Sequence, residues 1–340
     1  MEMKPLGGTG LRVSRFCLGT MMFGVMGNKD HDDCVRIIHK AIDSGINFID
    51  TADVYSQGES EQITGKAIKT LNRDNLIIAS KFFFPMGQDI NEQGGSRKWI
   101  VKEVENSLKR LGTDYIDLYQ IHRYDQNTDM EEILFTLTEL VKQGKIRYFG
   151  SSMFPPDRIV ESHWTAEKRG LMRFRCEQPW YSIFSRDIER FVLPACHRYG
   201  MGVIIWSPLD GGFLAGKYQT TKDLTEDTRI GMFTKRFTGS FDPEAEIFQH
   251  KITLVKELGK ISDEAGISLA QMSIAFTLNH PYVTSAIIGP RTMEHLETVL
   301  PAAELKLSME VLDKIDAIVP PGTSINPVRD LPDGTEKRRG

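Results

Sequence analysis

The sequence predicts an α/β fold, a (β/α)8 TIM barrel with an N-terminal hairpin cap and long loops after strands three and seven. Three observations predict it. Eight short apolar runs recur, at 16–18, 46–50, 76–80, 115–121, 145–149, 173–177, 202–206 and 283–288, with longer segments of helical spacing between them. The runs are similar in length. No shift in composition marks a second domain, so residues 1–340 are expected to form one barrel domain with a C-terminal tail over 319–340. An open doubly wound sheet is the alternative that alternation alone leaves standing.

The elements follow in order. Met3 to Leu6, the turn Gly7-Gly8-Thr9-Gly10 and Leu11 to Val13 read as a short hairpin, placed under the barrel. Val35, Ile38 and Ile42 mark one helical face before Gly45. Ile100, Val104, Leu108 and Leu111 mark another before Gly112, and Ile133, Leu134, Leu137, Leu140 and Val141 a third before Gly144. Glycine just past the last apolar turn is the expected stop, because it takes φ > 0 without strain. Three longer segments interrupt the repeat: 82–98, 208–243 and 319–340. The first two follow strands three and seven, on the face where barrel loops carry function. The tail either folds over that face or is a frayed terminus.

Composition narrows the class. A net charge of −4 gives no basic field for nucleic acid or an anionic membrane. No apolar run reaches the roughly 18–20 residues of a membrane span. Met1-Glu2-Met3-Lys4-Pro5 lacks the apolar core of a signal peptide. Cys17, Cys34, Cys176 and Cys196 are scattered, without Cys-x-x-Cys, and read as structural thiols of a cytoplasmic protein.

Four residues stand at or just past strand ends: Asp50, Tyr55, Lys81 and His122. In a barrel such positions share one face. A tyrosine with a pKa near ~10 is a poor acid at neutral pH, and a nearby ammonium stabilises its phenolate. Lys81 supplies that charge, Asp50 holds Lys81, and His122 orients a carbonyl or relays a proton. Singly, each residue is better explained as packing or hydrogen bonding; their joint placement carries the argument.

Other motifs compete. Gly211-Gly212-Phe213-Leu214-Ala215-Gly216-Lys217 matches G-x-x-x-x-G-K, but Tyr218 stands where a P-loop needs Ser or Thr for Mg²⁺. A phosphate-contacting loop of another kind fits better, its glycines letting backbone N–H groups approach an anion. Gly289 and Arg291 follow the last strand and suit an anion, or Arg291 is an ordinary surface arginine. Trp206 ends strand seven, as a stacking platform or a core side chain. No Rossmann fingerprint and no G-x-S-x-G elbow occur; there is no H-E-x-x-H and the eight histidines are dispersed, so no metal site is expected.

Longer stretches resemble a known family. Asn47 to Tyr55 and Leu111 to His122 are similar to signatures of the aldo-keto reductase superfamily. Gly144 to Ser152, Glu177-Gln178-Pro179 and Trp206-Ser207-Pro208-Leu209 add to the likeness, which runs in order from about Leu6 to Leu307. Ser96-Arg97-Lys98 and Trp206 lean toward the branch with the potassium-channel β-subunits and many bacterial reductases.

The resemblance implies a metal-free barrel that binds NADPH and passes hydride to an aldehyde or ketone. It implies Tyr55 as general acid, completed by Lys81, Asp50 and His122. It gives Ser151 and Gln178 to the carboxamide, counts Gly19, Thr20, Met21, Asp50 and Ser152 among the cofactor contacts, and stacks Trp206 on the nicotinamide ring. Ser207, Pro208, Leu209, Gly211, Lys217 and Arg229 would wrap the pyrophosphate, and Gly289, Arg291 and His295 would meet the adenosine end, Arg291 favouring NADPH over NADH. Ser152 stands where the family usually has asparagine, His295 where it has glutamine, and Thr298-Val299 where it has Glu-Asn. Met22, Phe84, Tyr55 and His122 would touch a small carbonyl substrate. The rival from another class is an NADPH-sensing regulatory subunit with little turnover.

Overall fold

A computed structural model describes residues 1–226, 228–238 and 241–325, less the side chains at 233 and 236–238. The chain divides into two compact units. One is Met1–Pro179, Phe191–Trp206 and Tyr282–Leu300; the other is Trp180–Arg190, Ser207–Pro281 and Pro301–Gly340.

The first unit opens with the antiparallel pair β1 (Met3–Pro5) and β2 (Arg12–Ser14). Eight parallel strands follow: β3 (Phe16–Gly19), β4 (Phe48–Asp50), β5 (Ile77–Phe82), β6 (Ile116–Ile121), β7 (Ile146–Ser152), β8 (Cys176–Gln178), β9 (Gly202–Ile205) and β10 (Ser285–Ile288). They close into a barrel, β10 pairing with both β9 and β3. Each of the eight apolar runs is thus a strand, and the open sheet is excluded.

The hairpin plugs the N-terminal end of the strands. Leu6 and Val13 share one buried cluster with Cys17, Phe48, Ile77, Leu118, Cys176, Ile204 and Ile287. Burying each larger aliphatic or aromatic side chain there contributes about 1.5–3 kcal/mol. Gly7 is required at the hairpin turn: its φ is 56°, and a Cβ would lie 2.4 Å from the Gly202 nitrogen.

Local chemistry sets the helices between the strands. Asp30 caps α1 (His31–Asp43), accepting from the N–H groups of Asp32 and Asp33. The buried face of α1 is Cys34, Ile37, Ile38 and Ala41, which corrects the expected Val35–Ile38–Ile42 face. The period was right but the phase was not, because the small Cys34 and Ala41 pack inward and a reading by large aliphatics overlooks them. After α2 (Glu59–Ile68), α3 (Arg97–Leu111) starts at the Ser96 cap and stops at Gly112, whose φ is 64°. Its apolar face is buried as expected, and so is that of α4 (Met130–Lys142), apart from the half-buried Val141. Then come α5 (Pro156–Arg169) and α6 (Val192–Tyr199).

In the second unit, the segment after β9 is more than a loop. It forms 3-10 turns at Asp210–Ala215 and Thr221–Asp223 and then α7 (Arg229–Thr238). Next come α8 (Glu246–Glu264) and α9 (Leu269–Asn279), the latter started by a Ser268/Gln271 capping box. The chain passes through α10 (Met293–Val299) in the first unit before α11 (Met309–Ile318) packs on α8. The start of the tail is anchored: Ile325 donates to the Phe184 carbonyl at 2.8 Å, and Arg186 donates its backbone N–H to Thr323 at 2.8 Å. The rest of the expected tail, 326–340 with Pro327 and Pro332, lies outside the described residues.

Candidate active site

Strand register brings the predicted set together. Gly19 pairs with Asp50, Asp50 with Ala79, and Lys81 with Gln120, so all lie at the C-terminal ends of adjacent strands. His122 follows directly on β6, and Tyr55 opens a 3-10 turn, Tyr55–Gly58, after β4. In that turn Ser56 and Gln57 take positive φ of 49° and 56°. Such strain persists where surrounding structure holds it, here beside Tyr55.

Lys81 is wholly buried, and its ammonium is saturated. It donates to Asp50 Oδ2 at 2.6 Å, to the Thr51 carbonyl at 2.8 Å and to the Tyr55 hydroxyl oxygen at 3.3 Å. An ammonium has three N–H groups, so all are spent. Because Tyr55 accepts from Lys81, its own proton is directed elsewhere. Burial would lower the Lys81 pKa, but the charge of Asp50 and the contact with Tyr55 outweigh it and hold the group above its ordinary value. For Tyr55 the balance runs the other way: burial pushes the phenol above its usual value, and Lys81 only opposes that rise. Tyr55 is therefore a firmly protonated donor at neutral pH.

His122 lies edge-on to Tyr55 with ring centroids 5.8 Å apart, and edge-on to Phe84 at 4.9 Å. Burial first, then the charges of Lys81 and Arg123, push its pKa well below 6.5, so the imidazole is neutral. Its Nδ1 is buried with no hydrogen-bond partner among the described residues.

Two amides complete the charge arrangement. Gln178 donates to Asp50 Oδ1 at 2.9 Å, and Gln120 donates to the same oxygen at 3.4 Å. Gln120 was missed in the sequence, although a signal existed, and Glu177 was read only as part of a family signature, with no role at the site. Leu118, Gln120 and His122 share one strand face by the two-residue period, and a polar residue there faces the interior. Glu177 accepts the Ser151 hydroxyl and the Phe154 N–H, the latter at 3.1 Å. Burial pushes its carboxyl up to about 7.

The other expected positions are distributed as follows. The Thr20 hydroxyl is engaged with Ser60 at 2.8 Å and with the Asp50 carbonyl at 3.3 Å. Met21 is half-buried, Met22 is buried, and Ser152 donates to the Gln178 carbonyl at 2.9 Å. Trp206 is half-buried against the barrel core. Gly289 and Arg291 are exposed and His295 half-buried, and Asn28 Nδ2 holds the Arg291 carbonyl at 3.1 Å.

Within the second unit, Ser207, Asp210, Gly211 and Gly212 all have positive φ, so the Ser207–Gly216 segment coils tightly. Pro208 is buried and Leu209 half-buried; Lys217 is exposed and Arg229 half-exposed at the start of α7. Tyr218 is buried instead of facing a metal, its hydroxyl donating to the Gly211 carbonyl at 3.3 Å. Beneath the turn, Lys251 donates to Asp210 Oδ2 at 2.7 Å with both side chains buried. All four cysteines are buried free thiols. Among the described residues no cluster of His, Cys, Asp and Glu could hold a metal ion, and no helix is long and apolar enough to cross a membrane.

A closed eight-stranded barrel with a tyrosine, lysine, aspartate and histidine at its C-terminal rim defines a class that the comparisons name. The chain matches the aldo/keto reductase family over residues 15–320. It is 37% identical over 331 residues to the uncharacterised oxidoreductase YrpG of Bacillus subtilis (strain 168), covering 94% of this chain and 96% of that protein. It is 36% identical over 326 residues to a putative voltage-gated potassium channel subunit beta of Schizosaccharomyces pombe, covering 92% of each. A putative aryl-alcohol dehydrogenase of the same yeast is 35% identical over 334 residues, covering 90% of this chain and 92% of that protein. The chain belongs to the aldo/keto reductase family.

Proposed function

We propose that this protein is an NADPH-dependent carbonyl reductase, a soluble enzyme that turns an aldehyde or ketone into an alcohol. One observation carries the reading: Lys81 donates to the Tyr55 oxygen while Asp50 neutralises Lys81, which leaves the Tyr55 proton to give. The neutral imidazole of His122 suits a hydrogen bond to the carbonyl oxygen, holding it where Tyr55 can protonate it. As the proton leaves, the negative charge growing on Tyr55 meets the wholly buried Lys81 ammonium.

The residues present fit a nicotinamide. Gln178 spends its Nε2 on Asp50, and its carbonyl oxygen suits the N–H of a carboxamide. Ser151, its hydroxyl proton given to Glu177, offers lone pairs to the same group. NADPH, when bound, supplies the hydride. Trp206 would pack on its ring, and Ser207, Pro208, Leu209, Gly211, Lys217 and Arg229 would hold the pyrophosphate. Gly289, Arg291 and His295 would receive the adenosine end.

The relatives named as an oxidoreductase and an aryl-alcohol dehydrogenase support turnover. The likeness to channel β-subunits supports the second reading, an NADPH-binding regulatory subunit. NADPH oxidation across a panel of aldehydes, ketones and keto-sugars separates the two. Tyr55→Phe is expected to abolish reduction while NADPH still binds. A phenylalanine variant that reduces its substrate at the parent rate would overturn the assignment of the acid.

A further inference from the structure

Gly94 and Gly95 close the neck of the loop that follows β5, and Asp125 holds them there. The Gly94 N–H donates to the Phe83 carbonyl at 2.7 Å, so the chain returns beside its point of departure. The next N–H, that of Gly95, donates to Asp125 Oδ2 at 2.6 Å, in the loop after β6. Asp125 is buried and held from its own loop. Its Oδ2 also accepts the Thr128 hydroxyl at 2.8 Å, and its Oδ1 accepts the Asn127 N–H at 2.9 Å. Bonds to a carboxylate are charge-assisted and stronger than neutral ones. Both glycines are needed for so close an approach. Gly94 has φ of 81°, and a Cβ there would lie 3.0 Å from Asp125 Oδ2. A Cβ on Gly95 would lie 2.9 Å from Ile133 Cδ1.

The neck governs where Phe84 stands. Phe83 has φ of 145°, which a residue with a side chain disfavours. Such a conformation persists where the surroundings over-determine it. Here the Gly94 N–H grips the carbonyl of the strained residue itself. The chain turns at Phe83, and the Phe84 ring comes to lie edge-on to the His122 imidazole at 4.9 Å and to the Phe83 ring at 5.5 Å. Beyond the neck most of the loop is exposed, and Glu92 ties it to α3 through Lys102 at 2.6 Å on the surface. Surface ion pairs contribute little, so the neck is the point that fixes the loop.

We propose that Asp125 is a positioning residue for the carbonyl substrate: by clamping Gly95 to the loop after β6 it fixes Phe84 beside His122 and so sets one wall of the substrate site. Asp125 touches no reacting group and acts through Phe84. This inference rests on the carbonyl-reductase reading, in which Phe84 and His122 meet the substrate.

The test is a double-mutant cycle of Asp125→Ala and Phe84→Ala in the full chain, with NADPH and two aldehydes, benzaldehyde and propanal. In Asp125→Ala the KM for benzaldehyde should rise at least ~10-fold, because a wall displaced by about an ångström no longer fits the ring. Propanal offers Phe84 little surface, so its KM should rise less. Both kcat values should stay within about threefold of the parent, the mark of lost substrate binding and not of lost chemistry. NADPH affinity by fluorescence titration should be unchanged. Asp125→Asn, which keeps one carbonyl oxygen, should recover part of the KM, and it replaces the alanine variant in the cycle should that variant not fold. Hydrogen exchange should quicken in a peptide covering 83–96 and stay at the parent rate in β5 and β6. In a Phe84→Ala background, Asp125→Ala should raise the KM little further, since the two act as one unit. A KM for benzaldehyde at the parent value, or effects of the two substitutions that add in full, overturns the inference alone. No turnover of either aldehyde, nor of any other carbonyl compound, by the parent overturns the reductase reading and the role built on it.

Discussion

Gln178 and Lys81 grip opposite oxygens of Asp50. Gln178 donates to Oδ1 at 2.9 Å and Lys81 to Oδ2 at 2.6 Å. One carboxylate thus links a residue assigned to the cofactor with the lysine that touches Tyr55. Asp50 is both the counter-charge of Lys81 and the brace that sets the rotamer of Gln178.

Asp50→Asn tests this double role. It leaves the Lys81 ammonium buried without its counter-charge, and breaking a buried pair costs about 3–5 kcal/mol. Urea denaturation is expected to register that loss, and carbonyl reduction to fall at least ~100-fold, the lower range for a general acid–base step. The double variant Asp50→Asn/Lys81→Met should recover much of the stability and none of the activity. A single variant as stable as the parent would contradict the geometry.

Glu177→Gln gives a pH test with a definite sign. The carboxyl sits at about 7 in the fold against an ordinary 4.5. A raised carboxyl binds its proton more tightly in the folded state. Its contribution to stability is therefore full below 4.5 and is lost as pH rises through about 7. Glutamine carries no such loss. The stability of the variant relative to the parent should grow by about 3 kcal/mol between pH 4.5 and pH 8, from roughly 1.4 kcal/mol per pKa unit. Denaturation curves at the two ends check it; a difference independent of pH would remove the shift.

Much of this was legible in the sequence because it follows local rules. The eight strands announce themselves as apolar runs, and Gly112 ends α3 because a left-handed residue was needed there. Asp50, Lys81 and His122 could be placed because each ends such a run. Gln120 was not found, since its meaning depends on Asp50, seventy residues away in sequence. The phase of α1 was misread because Cys34 and Ala41 are small. The α7 helix was hidden in a segment rich in glycine, threonine and charge, where propensity gives little signal.

Arg291→Ala addresses cofactor choice. Asn28 fixes the Arg291 backbone carbonyl at 3.1 Å, so the exposed side chain projects from a held main chain. A charge-assisted bond to a 2′-phosphate is worth about 1.5–3 kcal/mol. NADPH affinity should fall at least ~10-fold by fluorescence titration, and NADH affinity by less than about twofold. Equal losses for both would remove the 2′-phosphate role.

Asp210 and Lys251 form the buried pair beneath the glycine-rich turn, 2.7 Å apart, with Lys251 also 5.1 Å above the Phe213 ring. Asp210 has φ of 45° and is followed by Gly211 and Gly212 at 68° and 106°, so this pair pins a run of left-handed backbone. Asp210→Ala removes the carboxylate that faces the buried Lys251 ammonium and should cost about 3–5 kcal/mol, while the double variant Asp210→Ala/Lys251→Met should cost much less. The turn carries the residues proposed to hold the pyrophosphate, so NADPH should dissociate faster from Asp210→Ala by stopped-flow fluorescence. If Asp210→Ala and the double variant prove as stable as the parent and release NADPH at the parent rate, the pair does not hold the turn.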